Sequence, residues 1–404
     1  MDMHADRLWL EAFSDLLDRS HLFQPDGLAP AVAAVMAPLG CRTSIYLVDE
    51  EQRALRLIPP AGRPAGESVP LEDFPAGEVF CLVRTLPAND GDGWWVPMVN
   101  GTDRLGVVEF RFDGGVDPAD EILRKRCETM AGLVGHLITV TEPKGDFLLQ
   151  GRRMRPMSSG AELITQMLPP LTVSSERLVL SAILEPRYEV GGDGFDYAID
   201  GPYARMSIFD AVGHGLKAGL ACTVALAAIR AARRAGQDLY EQARAADAAL
   251  LEQFDDARFV TGILAELNMD TGELRYLNAG HPWPILLRGG KSLRELPGGR
   301  RMPLGLNDAR RGIGEETLEP GDQLLFYTDG VTESRDPAGD MFGVSRLIEQ
   351  LEQHAAAGLP APETVRRLAH AVATHHDGPY VDDATLMLAQ WSATAAERGL
   401  PASG

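Results

Sequence analysis

The sequence has few cysteines, and none of them stands in a paired motif. Its four cysteines are Cys41, Cys81, Cys127 and Cys222, and no two of them form a CxxC pair. This pattern argues against a zinc site and against a disulfide framework. We expect buried free thiols in a reducing cytosol.

Positive charge and long apolar runs are also scarce. The chain has 38 Lys and Arg residues against 58 Asp and Glu, which gives a formal net charge of −20. Nucleic acids and anionic membrane surfaces would repel such a chain, so neither is an expected partner. There is no apolar run of about 18 residues, and the first residues lack the pattern of a signal peptide. We therefore expect a cytoplasmic protein.

The rest of the composition is typical of a globular chain with more than one domain. Hydrophobic residues make up 45% of the chain and charged residues 24%. A length of 404 residues exceeds the usual size of a single core, so we expect two or three domains.

Residues 1–141 predict an α+β module. Two helices, the second near 28–36, precede four strand-like runs, and a long helix follows. Asp117 is the predicted N-cap of the long helix, with Pro118 at its first position. The strand-like runs cover residues 43–48, 54–58, 94–99 and 105–112.

Apolar residues on the long helix repeat at steps of four and three. They are Leu123, Cys127, Met130, Val134 and Leu137. Such a seam is typical of a coiled coil and would make the protein a homodimer. It fits equally well a stripe packed on the module's own sheet, and two heptads are too few to decide.

In element order, with strands flanked by helices, this module resembles a GAF domain, a small sensory fold of many bacterial regulators. The resemblance implies a sensory or regulatory role for residues 1–141. It also implies a small ligand, which nothing in the sequence identifies.

Residues 142–175 form a predicted connector that is rich in glycine, proline and serine. Ser159 and Glu162 fit a capping box for a short helix, which Pro169 and Pro170 would end. A helix between two domains either transmits a change in their orientation or acts as a passive spacer. We keep both alternatives.

A second domain is predicted for residues 176–392, and the tail 393–404 is expected to be disordered. Apolar, strand-like runs precede, separate and follow two pairs of helices. The strands are predicted at 177–184, 203–209, 259–267, 274–277, 284–287, 323–327 and 384–390, and the helices at 216–235, 239–254, 344–351 and 362–373.

Carboxylates stand beside glycines or at the ends of these strands. If the strands are neighbours in a sheet, their ends bring the acids together. The cluster would need cations to offset its charge, and oxygen-only ligands suit Mg²⁺ or Mn²⁺. The acids are Asp193 and Asp210, from the glycine-rich stretch 190–215, then Asp329 and the pair Asp382 and Asp383.

Two such ions would provide chemistry on phosphate. At about 3.5 to 4 Å apart, bridged by a carboxylate and a water, they would lower the pKa of that water and hold the oxygens of a phosphate. The resulting hydroxide would attack phosphorus in line, without a serine or cysteine nucleophile. Taken alone, an Asp in a glycine-rich turn more often serves only to hydrogen-bond the backbone of the turn.

Together these motifs resemble the metal-dependent protein phosphatases of the protein phosphatase 2C superfamily, in particular its bacterial SpoIIE-like branch. The motifs occur in the family's order. They comprise residues 190–196, 210–215, 278–282, 284–287, 303–305, 327–334 and 382–386.

The resemblance implies an α/β/β/α sandwich with two ions, Mn²⁺ or Mg²⁺, between its sheets. It implies that Asp210 bridges the ions and that the backbone carbonyl of Ala211 is a further ligand. Asp193, Asp329 and Asp382 are the implied remaining acids of catalysis and metal binding.

Other positions near the motifs are less typical. Asp383 is the less favoured metal ligand of its pair, and Asp196 is expected behind the ligands or bonded to the turn. Gly194 stands where the family often has an aromatic residue, while Ala211 and Val212 replace the usual Val and Ser. A carbonyl ligand is indifferent to its side chain, whereas Val212 cannot hydrogen-bond as a serine would, which would slow the reaction.

The activity implied is that of a serine/threonine protein phosphatase regulated by the N-terminal module. In the SpoIIE-like branch the substrates are often phosphorylated anti-anti-sigma factors. His214 and His281 lie in glycine-containing turns, where an imidazole either protonates a leaving oxygen or bonds the backbone. We favour the structural role for both.

Two other interpretations compete with this one. Gly213, Gly215 and Ala218 satisfy the dinucleotide pattern G-x-G-x-x-G/A, with Asp238 in the place of the ribose-binding acid. However, Asp238 lies between two predicted helices rather than after a second parallel strand. The more serious alternative is a catalytically silent regulator that binds a partner through the same fold. Its expected mark, the loss of an acid, is absent.

Overall fold

The computed structural model describes residues 3–59, 68–72, 74–88, 91–189, 191–256, 258–376 and 382–392. These residues form two compact units, one up to Met154 and one from Arg155 onward. The division falls inside the predicted connector, and the predicted disordered tail lies outside the described residues. Within these ranges, no helix is both long and apolar enough to cross a membrane.

The N-terminal unit is built on a six-stranded antiparallel sheet with the strand order β3-β2-β1-β6-β5-β4. Its helices are α1 Met3–Arg19, α2 Leu28–Met36, α3 Pro75–Leu82, α4 Glu121–Thr141 and α5 Phe147–Arg152. Its strands are β1 Cys41–Val48, β2 Ala54–Leu57, β3 Ser68–Pro70, β4 Leu86–Pro87, β5 Gly93–Asn100 and β6 Asp103–Phe112.

Side chains alternate between two cores across this sheet, as the period of a strand requires. Trp94 and Val96 of β5 join the core that also holds residues of α1, α2 and α4. Trp95 of β5 and Val107 of β6 join the opposite core, which is covered by α3. The α+β class predicted for this segment is confirmed, while its identity as a GAF domain stays a prediction.

The seam on α4 packs within the N-terminal unit. Cys127, Met130, Val134 and Leu137 are buried in the core shared with β5 and β6, and Leu123 packs against it. The stripe on the module's own sheet is therefore the arrangement found. A homodimer stays a prediction, and this seam gives it no support.

Two predicted helix starts are wrong by a few residues. α4 begins at Glu121 with Asp120 as its N-cap, because the Asp120 carboxylate accepts the Leu123 amide at 2.9 Å. Asp117 instead accepts the Ala119 amide in the preceding turn. The short connector helix begins at Ser159, so its N-cap is the extended Ser158 and not Ser159.

The C-terminal unit stacks two six-stranded sheets between helices. One sheet has the order β15-β12-β11-β10-β9, with β16 also on β12, and the other has the order β14-β13-β17-β18-β8-β7. The helices are α6 Ser159–Met167, α7 Leu216–Arg234, α8 Leu239–Gln253, α9 Asp329–Glu333, α10 Gly343–Ala356 and α11 Ala361–His375. The strands are β7 Thr172–Ser174, β8 Leu178–Glu185, β9 Asp193–Asp200, β10 Tyr203–Ala211, β11 Val260–Asn268, β12 Glu273–Ala279, β13 Ile285–Arg288, β14 Ser292–Glu295, β15 Arg300–Arg301, β16 Gly314–Thr317, β17 Gln323–Tyr327 and β18 Ala384–Trp391.

Three apolar layers hold this sandwich together. The central layer lies between the sheets and includes Phe195 and Ile208 from one sheet and Phe326 and Met387 from the other. A second layer packs α6, α7 and α8 on the first sheet, and a third packs α10 and α11 on the second. The predicted α/β/β/α class is confirmed. All four cysteines of the chain are buried as free thiols.

The dinucleotide-binding interpretation is wrong. β10, the strand before Gly213 and Gly215, pairs antiparallel with both of its neighbours, β9 and β11. A dinucleotide site requires a parallel βαβ unit. Asp238 is the N-cap of α8, where its carboxylate accepts the Glu241 amide at 2.9 Å.

Candidate metal centre

Asp193 and Asp210 face each other across two neighbouring strands. Asp193 is the first residue of β9, and the antiparallel register pairs it directly with Asp210 near the end of β10. Asp193 is buried, whereas Asp210 is half-buried. The carboxylates at the two positions therefore converge at one end of this sheet.

The other acids come from the facing sheet. β17 ends just before Thr328 and Asp329, and it pairs antiparallel with β18, which begins just after Asp383. The Thr328 amide donates to the Thr385 carbonyl, which extends this pairing past the strand end. Asp329 is the first residue of α9.

Two threonine hydroxyls join the sheets at this end. Thr328 Oγ1 and Thr385 Oγ1 donate to the same oxygen of Asp193, Oδ2, at 2.7 and 2.6 Å. Both threonines are fully buried. Sequence reasoning missed them, although each stands within two residues of a predicted acid and can supply a short side-chain donor.

Asp383 holds the loop that leads into β9. Its Oδ2 accepts the amides of Gly191 and Gly192, each at 2.7 Å, and that of Asp193 at 3.2 Å. One carboxylate oxygen of Asp383 is therefore committed to the backbone.

Glycines allow the close backbone approaches that the cluster needs. A Cβ on Gly192 would stand 2.5 Å from the Ala211 carbonyl oxygen, and one on Gly191 would stand 2.7 Å from the Gly215 nitrogen. A Cβ on Gly330 would meet the Asp383 carbonyl oxygen at 1.9 Å. A side chain at any of these positions would push apart neighbouring segments within one half of the site.

The acids raise one another's pKa values. Burial, followed by the charges of Asp329 and Asp382, raises the pKa of Asp210 to about 7. The pKa of Asp193 is raised well above its usual range by burial and by Asp383 and Asp210, against the two threonine hydrogen bonds. Asp382 is exposed on one side, yet surrounding protein atoms still desolvate it and raise its pKa. Like charges this close favour either protonation or a bound cation.

The donor set fits a hard divalent cation. The cluster offers carboxylate oxygens and the Ala211 backbone carbonyl, without sulfur or imidazole, which suits Mg²⁺ or Mn²⁺. Across the described ranges, no group of three or more His, Cys, Asp or Glu side chains stands ready to hold an ion. Ion binding therefore requires the carboxylates to turn toward a common centre.

Asp196 binds two arginines of α7, so of its two predicted roles the bond to the turn is wrong. Its Oδ1 accepts Arg230 Nη2 at 2.7 Å, and its Oδ2 accepts Arg233 Nη1 at 2.7 Å. The side chain is buried and fixes α7 to β9 instead of bonding the turn. Gly194, two residues earlier in β9, packs against the same helix. A Cβ at this position would stand 2.8 Å from Sγ of Cys222 in α7, so an aromatic side chain would not fit there.

The two histidines differ in their surroundings. His281 is buried, its Nδ1 lies 2.8 Å from Thr261 Oγ1, and burial lowers its pKa to about 3. A neutral, enclosed imidazole supports the structural role. His214 is exposed, and among the described contacts its side chain makes no hydrogen bond, so the predicted backbone bond is not found there.

Part of the chain is similar to known proteins. Residues 200–392 match the family described as Stage II sporulation protein E (SpoIIE). The chain is 25% identical over 215 residues to the phosphoserine phosphatase RsbU of Bacillus subtilis, covering 53% of this chain and 63% of that protein. It is 28% identical over 139 residues to Protein IcfG of Synechocystis sp., covering 34% of this chain and 21% of that protein. The chain thus spans less than two thirds of each of these relatives.

A solved structure shows the same fold. The SiaA-PP2C domain of Pseudomonas aeruginosa aligns with a TM-score of 0.50 at 24% identity, covering 57% of this chain and 94% of that domain. Over residues 200–392 the C-terminal unit is therefore similar in sequence to the SpoIIE family, and its sandwich is the fold of the SiaA-PP2C domain.

Proposed function

We propose that the chain is a metal-dependent serine/threonine protein phosphatase. The observation that carries this proposal is that acids from two facing sheets lie at the same end of the sandwich, where Thr328 and Thr385 of one sheet bond Asp193 of the other. The relation to a phosphoserine phosphatase supports the same activity. A purely structural cluster of buried, like-charged carboxylates would only destabilise the fold.

The proposed ligands are the residues implied by the family pattern. Asp210 would bridge two ions, with Asp193, Asp329, Asp382 and the Ala211 carbonyl as further ligands. When bound, the ions would supply charge stabilisation at the phosphoryl oxygens and a water of lowered pKa. Asp193 can serve because its threonine bonds occupy Oδ2 and leave its other oxygen for an ion.

The proposed substrate is a phosphoserine or phosphothreonine on a protein, of the anti-anti-sigma class. RsbU is by its name a phosphoserine phosphatase, and the family resemblance points to this substrate class. A cytoplasmic location, a small ligand of the N-terminal unit and control by that unit also stay predictions. The silent regulator is disfavoured because every proposed acid is present.

Asp210→Asn tests the activity. We expect this change to reduce Mn²⁺-dependent phosphate release from a phosphoserine protein by at least about 100-fold, since a ligand shared by both ions is lost. Asp270→Asn is the matched control. Asp270 is exposed and follows the end of β11 remote from Val260, so the control variant should keep full activity. Equal rates for wild type and Asp210→Asn would refute the mechanism.

The pH dependence of stability tests metal binding without an activity assay. The pKa of Asp210 is about 7 in the fold and about 3.9 in an unfolded chain. The folded state thus binds more protons, and the free energy of unfolding falls as pH rises from about 4 to about 7. In EDTA at pH 8, Asp210→Asn should therefore be more stable than wild type.

Added Mn²⁺ should reverse that order. The wild type should gain stability and Asp210→Asn should gain much less, as followed by urea unfolding at pH 5 and pH 8. If Mn²⁺ stabilised both proteins equally, the ion would bind elsewhere.

Removal of residues 1–154 tests regulation by the N-terminal unit. We expect the shortened chain to release phosphate at a rate different from that of the full chain, with unchanged stabilisation by Mn²⁺. Asp210→Asn in the shortened chain confirms that the activity belongs to the same site. Identical rates for both lengths would make the connector a tether only.

A further inference from the structure

Arg258 lies next to the backbone that follows the proposed ligands Asp210 and Ala211. It stands in the segment between α8 and β11, next to the end of β10. The register pairs Ala211 with Val260, and the Val212 amide donates to the Phe259 carbonyl at 3.1 Å. Arg258 is thus fixed next to the chain that carries Asp210 and Ala211.

The guanidinium reaches the backbone that follows the proposed ligands. Arg258 Nη1 donates to the Val212 carbonyl at 3.4 Å, and a Cβ on Gly213 would stand 3.5 Å from the same nitrogen. These contacts lie two and three residues after Asp210. The charge of Arg258 is therefore held against the backbone that directly follows Asp210 and Ala211.

The acid that pairs with Arg258 is a weak competitor. Asp256 accepts Arg258 Nε at 3.1 Å and lies 3.0 Å from Nη2, but its side chain is 60% exposed. Exposed ion pairs of this kind contribute little. The Arg258 side chain is only 19% exposed, so its position is the better defined of the two.

A second cation lies close to this pair. The pKa of Asp256 is lowered first by its hydrogen bond with Arg258 and also by the charges of Arg258 and Lys217. Lys217 is exposed in the first turn of α7. Two positive groups thus lie close to Asp256, whereas the charged neighbours that raise the pKa values of Asp193 and Asp210 are other acids.

The negative charge of a phosphomonoester is repelled by those acids as the substrate approaches the site. A guanidinium presents planar N–H groups that match two oxygens of a phosphoryl group, and it stays charged at any working pH. Arg258 bonds Asp256 through Nε and Nη2 and the Val212 carbonyl through Nη1. Two phosphate oxygens in place of the Asp256 carboxylate would therefore leave the bond to Val212 intact. Lys217 adds attraction over a longer range.

We propose that Arg258 binds the phosphoryl group of the substrate, and the phosphate product, at the rim of the metal centre. The inference rests on the proposed phosphatase function and adds a substrate-binding residue to it. The chemical class recognised is a phosphomonoester dianion, whatever protein carries it.

The test uses the full chain at saturating Mn²⁺ with p-nitrophenyl phosphate as substrate and inorganic phosphate as inhibitor. We expect Arg258→Ala to raise KM and the inhibition constant of phosphate about tenfold or more. The Mn²⁺ concentration for half-maximal rate should not change. Arg258→Lys keeps the charge but loses the paired N–H groups, so its KM and its inhibition constant should lie between those of wild type and Arg258→Ala. This variant replaces Arg258→Ala in the test if the alanine variant fails to fold.

Arg244→Ala is the matched control. Arg244 is an exposed arginine of the same unit, 3.9 Å from Glu241, and its loss should leave every constant unchanged. An unchanged inhibition constant in both Arg258 variants would overturn the proposal. The same holds if only the Mn²⁺ requirement rises, because Arg258 would then merely support the Val212 loop. A wild-type chain that hydrolyses neither this substrate nor a phosphoserine protein would instead overturn the phosphatase function.

Discussion

The buried carboxylate of Asp193 is the constraint on which the C-terminal unit depends. A charge enclosed in protein is costly unless hydrogen bonds satisfy it. Thr328 and Thr385 supply these bonds from the facing sheet, while the Asp383 carboxylate binds the backbone just before Asp193. The two sheets are thereby fixed against each other at the edge where the acids converge.

The same contacts concentrate negative charge that hydrogen bonds do not offset. Asp210 lies between Asp193 on its own sheet and Asp329 on the other, and burial raises its pKa toward neutrality. In the proposed mechanism, bound cations would both neutralise these acids and supply the chemistry, because the same carboxylate oxygens would hold the ions. The role proposed for Arg258 is to offer the positive charge that an incoming phosphate requires.

The family resemblance implied the sandwich class, and apolar runs predicted the strands that end near Asp210 and Asp329 and the strand that follows Asp383, because such runs are local signals. The strand β9, which begins at Asp193, was not predicted. The sequence did not predict the partners of those acids. Thr328, Thr385 and the Asp383 contacts join residues more than a hundred positions apart, and Asp196 proved to bind arginines of α7. The two helix starts were predicted wrongly for a simpler reason. Adjacent residues, such as Ser158 and Ser159, had equal capping propensity, and only the backbone conformation decided between them.

The most direct test of the central claim is anomalous diffraction at the manganese edge from crystals of the full chain grown with Mn²⁺. The account predicts two peaks about 3.5 to 4 Å apart, with Asp210 between them and Asp193, Asp329 and Asp382 around them. Absence of Mn²⁺ from this cluster at millimolar concentration, or its binding only at other acids of the chain, would contradict the account.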